Sequence, residues 1–110
     1  MAKEMRRVLL SEAEFETALK RFVKARDQMF HGATLLDSGI KKAEPLEVEV
    51  VVRTQTGQEQ FLTLGPTHLA AAVIRFCMDN RIPLPRNAEK SVKAVSGGIA
   101  LDMHIELNAR

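Results

Sequence analysis

A chain of 110 residues with 45% hydrophobic and 27% charged content fits one ordinary globular domain spanning 1–110. A net charge of +2 is too small to imply nucleic acid by itself, and five Phe with no Trp or Tyr are thin material for base stacking. One cysteine excludes an internal disulfide and points to a reducing compartment. The start MAKEMRRVLL carries neither a signal-peptide core nor the ~20 apolar residues of a membrane span, so the cytoplasm is the expected location.

Residues 1–10 read as a flexible lead-in, with MRRVLL either a short strand or a tail. A first helix follows. Ser11 is its N-cap and Glu14 completes an S-x-x-E capping box, with Leu10 and Phe15 at the hydrophobic-staple positions. Acids crowd the first turns (Glu12, Glu14, Glu16) and bases the later ones (Lys20, Arg21, Lys24, Arg26), as the helix dipole favours. Phe15, Ala18, Leu19, Phe22, Ala25 and Met29 make the buried stripe, widened by Val23 and Phe30, and Gly32 suits the position after His31 where a helix ends. Residues 33–45 are expected to hold one more helical turn through Leu36 and then a turn at Asp37-Ser38-Gly39.

Two hairpins flank a central helix. In the first, Leu46, Val48, Val50 and Val52 alternate with Glu47, Glu49, Val51 and Arg53, a strand period, and the chain returns through Gln60 to Leu64. A three-residue loop, Gln55-Thr56-Gly57, sets Val50 opposite Leu62 and Val48 opposite Leu64, so the apolar faces match. That register leaves Val51 opposite Phe61 on the outer face, where polar residues are the rule. The central helix, GPTHLAAAVIRFCMDNR, is apolar almost all round and should be covered on most sides. Pro66 suits its first position, Asn80 and Arg81 suit its end, and Pro83 and Pro85 forbid continuation. In the second hairpin, Gly97-Gly98 reads as a two-residue turn that pairs Val92 with Met103, Ala94 with Leu101, Lys93 with Asp102 and Ser91 with His104. Residues 108–110 should fray. The order is helix, hairpin, helix, hairpin: an α+β fold with one antiparallel four-stranded sheet packed against helices. No internal repeat registers.

No converging catalytic constellation is present, and no cofactor or metal site is expected. Asp102, His104 and Glu106 share a strand face, but same-side neighbours lie nearly 7 Å apart, too far for one strand to close a coordination shell. Cys77 sits mid-helix among apolar residues, the setting of a structural thiol. His68 lies in the first turn of the central helix without a nucleophile or carboxylate beside it. Two features point to binding. Val51 and Phe61 form an apolar pair that invites another layer: the first helix, a second subunit or another protein. Arg75, Arg81, Arg86, Lys90 and Lys93 form a basic cluster that would meet phosphates if the Pro-rich loop folds back beside the helix end. The expected function is therefore a non-enzymatic domain acting through protein–protein contacts as a homodimer or adaptor. The alternative is a nucleic-acid-binding module.

Overall fold

Both expected hairpins form, but they do not share a sheet. In the computed structural model, which describes residues 2–107, the fold is α+β with two antiparallel three-stranded sheets. The elements run β1 (Ala2–Ser11), α1 (Glu12–Ala25), α2 (Asp27–Phe30), β2 (Thr34–Ala43), β3 (Leu46–Arg53), β4 (Glu59–Leu64), α3 (Pro66–Asp79), β5 (Ala88–Val95) and β6 (Gly98–Leu107). A central sheet is ordered β2-β3-β4 and a terminal sheet β1-β6-β5. The expected four-stranded sheet fails because two further strands exist, and each takes one hairpin as its partner. Residues 108–110, expected to fray, lie outside the described residues.

The first of those strands corrects the reading of residues 1–10. They form not a lead-in but β1, paired with β6 over its whole length, from Ala2 opposite Leu107 to Ser11 opposite Gly98. The second corrects residues 33–45. Asp37-Ser38-Gly39 does not turn; it lies inside β2, whose register with β3 shifts twice, leaving Leu36 and Lys41 as bulge residues.

The β3–β4 hairpin has the expected register: Val50 opposite Leu62, Val48 opposite Leu64 and Val51 opposite Phe61, with Gly57 at φ 87° in the loop. The β5–β6 hairpin slips by two residues. Val92 faces Leu101, Ala94 faces Ile99, Lys93 faces Ala100 and Ser91 faces Asp102, so the turn is Ser96-Gly97 with Gly97 at φ 81°. Gly98 belongs to the strand, because a Cβ there would run into the Leu10 carbonyl of β1. That close approach uses the second glycine, which is why it does not serve the turn.

The helices follow their signals at the start more closely than at the end. The capping box closes: the Glu14 amide donates to Ser11 Oγ at 3.1 Å and the Ser11 amide to Glu14 Oε1 at 2.9 Å. Helix α1 stops at Ala25, earlier than expected. Arg26 leaves helical geometry (φ −102°, ψ 66°) with its guanidinium over the Phe22 ring at 5.0 Å, and α2 restarts the chain toward a left-handed His31. Ala25 and Met29 consequently lie outside the buried stripe, while Val23 and Phe30 are inside it. Helix α3 begins at Pro66 and ends with Arg81, not Asn80, in the left-handed position (φ 58°). The Ile82 amide donates to the Cys77 carbonyl and the Arg81 amide to Met78, which closes a Schellman cap.

An internal pseudo-twofold organises the molecule. Helix α1 packs on β1 and β6 of the terminal sheet and reaches β2; α3 packs on β3 and β4 of the central sheet and reaches β5. The two helices pack on each other. The buried residues of α3 (Leu69, Ala72, Val73, Phe76, Cys77) sit 54 positions after those of α1 (Phe15, Ala18, Leu19, Phe22, Val23). Leu10 and Val8 in β1 likewise answer Leu64 and Leu62 in β4. The unit β2-β3-β4-α3 is therefore matched by β5-β6-β1-α1, in which the strand order runs through the two ends of the chain. The core is the shared interior: Leu19, Val23, Leu64, Leu69, Val73, Ile99 and Leu101 are all fully buried.

Candidate functional site

The outer face of the central sheet is the face turned away from the helices. Along β3, Val48, Val50 and Val52 point into the core and are buried, so Glu49, Val51 and Arg53 point out. Opposite them on β4 stand Thr63, Phe61 and Glu59. Val51 is half-buried and Phe61 is 66% exposed, with the bulge residue Leu36 exposed nearby on β2. The expected apolar pair is thus formed, and neither helix covers it. Lys41 reaches across from β2 to place Nζ 3.4 Å from Thr63 Oγ1.

Strand β4 is also one of the two edges of this sheet. The Thr54 amide donates to the Gln58 carbonyl at 2.8 Å, which fixes the hydrogen-bonding phase of the hairpin. Bonded pairs alternate along an antiparallel ladder, so the amide and carbonyl groups of Gln60, Leu62 and Leu64 face β3. Those of Glu59, Phe61 and Thr63 face outward. The exposed ring and the unpaired backbone of Phe61 therefore share one place.

The pseudo-twofold supplies an internal comparison. The positions in the terminal sheet that answer Val51 and Phe61 are Asp102 and Arg7, paired opposite each other across β6 and β1. There the outer face is closed by a forked ion pair: Arg7 Nε lies 2.6 Å from Asp102 Oδ1 and Nη2 2.9 Å from Oδ2. Asp102 is only 1% accessible. The hydrogen bonds from Arg7 hold its carboxyl below the ordinary range, against the opposing effect of burial, and Lys93 and His104 add smaller pulls the same way. One sheet face carries a satisfied charge pair; its counterpart carries a bare apolar pair. Sequence reading missed Arg7, because its role depends on β1 being a strand.

The residues of the basic cluster are distributed over α3, its cap, the following loop and β5. Arg75 Nε is 3.2 Å from Asp79 Oδ1, and Arg21 Nη1 reaches the same carboxylate at 3.5 Å. Arg81 occupies the α3 cap and Arg86 the following loop, both exposed. Lys90 and Lys93 lie on opposite faces of β5, since Lys90 is paired with inward Met103 and Lys93 with outward Ala100.

The remaining candidates have structural surroundings. His68 packs against Phe22 of α1, ring centroids 6.0 Å apart. Cys77 is fully buried, and burial pushes its thiol pKa up. His31 occupies the left-handed cap of α2. Asp102 is committed to Arg7, so it does not act with His104 and Glu106, and no group of three metal-type ligands occurs among the described residues. A concavity of about 570 Å³ at the far end of the terminal sheet is bordered by Lys3, Met5, Glu89, His104 and Glu106. No helix among the described residues is long and apolar enough to cross a membrane. Comparison with known proteins returns no match to a family model, a curated protein or a solved structure.

Proposed function

We propose that this chain is a small non-enzymatic domain that acts through protein–protein contacts and self-associates through the outer face of its central sheet, around Val51 and Phe61. The observation that carries this reading is the exposure of Phe61 beside Val51 at positions where the pseudo-equivalent sheet holds an ion pair. An exposed aromatic gains the apolar-burial free energy only when something covers it, on the order of 1.5–3 kcal/mol for a ring of this size. Aromatic anchors of this kind dominate interface energetics.

The test is the solution mass of the wild type and of Phe61→Glu, by light scattering over a range of concentrations. The expected result is a wild-type dimer and a folded, monomeric variant. A wild type that stays monomeric at every concentration defeats self-association. A dimer indifferent to Phe61→Glu places the contact elsewhere.

A further inference from the structure

We propose that two copies of this chain join edge to edge through β4, in antiparallel register centred on Phe61, making one continuous six-stranded sheet. The inference rests on the self-association proposed above and narrows it: the contact lies at the β4 border of that face, where Phe61 stands, with Val51 one strand in from the seam.

Four edges are on offer, and three are guarded. Natural proteins protect free strand edges with charges, lysine above all, and with bulges. Strand β2 has two bulges together with Asp37, Lys41 and Lys42. Strand β5 carries Glu89, Lys90 and Lys93. Strand β1, the pseudo-equivalent of β4, carries Lys3, Glu4, Arg6 and Arg7. Strand β4, EQFLTL, has one charge, at its first residue, and neither a bulge nor a proline.

The occupant follows from self-complementarity. With Phe61 opposite the partner's Phe61, Glu59 falls opposite Thr63 and Gln60 opposite Leu62, twice each by symmetry. Every outward amide and carbonyl of Glu59, Phe61 and Thr63 then meets a bonded partner, about six hydrogen bonds in all. The two Phe61 rings become a directly opposed cross-strand aromatic pair. Charge agrees as well. Lys41 Nζ already rests 3.4 Å from Thr63 Oγ1, so each copy's Glu59 arrives beside the other's ammonium. The same pairing at β1 would set Arg7 against Arg7, and like charges directly opposite are destabilising. At the centre of the two pseudo-equivalent edges, Arg7 thus opposes the docking of a second copy and Phe61 favours it.

The experiment is disulfide trapping between Glu59→Cys and Thr63→Cys chains. Both positions are exposed, and the native Cys77 is fully buried, so each variant offers one reactive thiol. In the proposed register a Glu59→Cys chain meets a Thr63→Cys chain at a directly opposed pair, with Cα atoms about 5.5 Å apart, within disulfide reach. Like variants place their cysteines roughly 13 Å apart and cannot bridge. The expected result is a cross-linked dimer in the oxidised mixture, with at least a tenfold lower yield from either variant alone. Sheets stacked face to face lie about 10 Å apart and would not bridge either. A wild-type dimer that Phe61→Glu dissociates, but whose cysteine mixture does not cross-link, overturns the edge register and leaves the interaction reading standing. A wild-type monomer overturns both.

Discussion

Asp102 lies on the outer face of the terminal sheet, yet it is almost inaccessible because Arg7 folds over it from the next strand. Its carboxyl titrates below the ordinary range in the fold, so it binds a proton less readily there than in the unfolded chain. Such a group adds stability above the ordinary carboxylate range, and that contribution disappears as pH falls through its folded value. Asp102→Asn keeps the shape and removes the charge. It should lower the melting temperature by a few degrees near neutral pH, and the gap to wild type should close in acid. Thermal melts across that range check this; a gap that persists in acid would mean the side chain acts by packing. The outward direction of Asp102 was legible in the sequence, since alternation along β6 survives any even slip in register. Its partner was not. Lys93 was the nearest opposite charge in the expected hairpin, whereas Arg7 lies 95 positions away in the sequence.

Gly98 decides the register of its hairpin at the next scale up. Two consecutive glycines look like a turn, but only Gly97 has the positive φ; Gly98 is needed where the β1 backbone at Leu10 and Ser11 comes close. Gly98→Ala would push a methyl group into the Leu10 carbonyl, at the junction that also carries the Ser11 cap of α1. Overpacking of this kind costs about 1–3 kcal/mol, and a urea unfolding midpoint would show the loss. The β3–β4 hairpin was read correctly because its apolar faces admit one pairing. The slipped hairpin kept its faces and changed every partner, as a two-residue shift must. Strand β2 was missed because its bulges break the alternation and because Asp37-Ser38-Gly39 has turn chemistry. Strand β1 was missed because Met5 and Leu9 point outward among charges, so no single apolar face marks it.

Across the whole molecule, the least legible property was which strand neighbours which. Local signals set helices and hairpins; the terminal sheet depends on pairing the first strand with the last. The internal repeat was hidden for the same reason, because one of its units is assembled from both ends of the chain. That arrangement predicts tolerance to circular permutation. Joining the ends through a short linker and opening the chain between His31 and Gly32 gives the order β2-β3-β4-α3-β5-β6-β1-α1-α2, two like units in tandem. The permutant should keep the circular-dichroism spectrum and most of the stability of the parent. It should refold faster, because the longest-range ladder becomes local. A permutant that refolds no faster would show that β1–β6 pairing does not limit the rate.

The same pairing has a consequence for the chain as it is synthesised. The whole of the central sheet and α3 lies between β1 and its partner β6 in the chain, so β1 can find its ladder only after those elements have been made. A ten-residue strand with free amides is a template for neighbouring nascent chains. Like charges directly opposite disfavour strand pairing, so Lys3, Arg6 and Arg7 make β1 a poor partner for a second copy of itself and leave it to β6, where Arg7 meets Asp102.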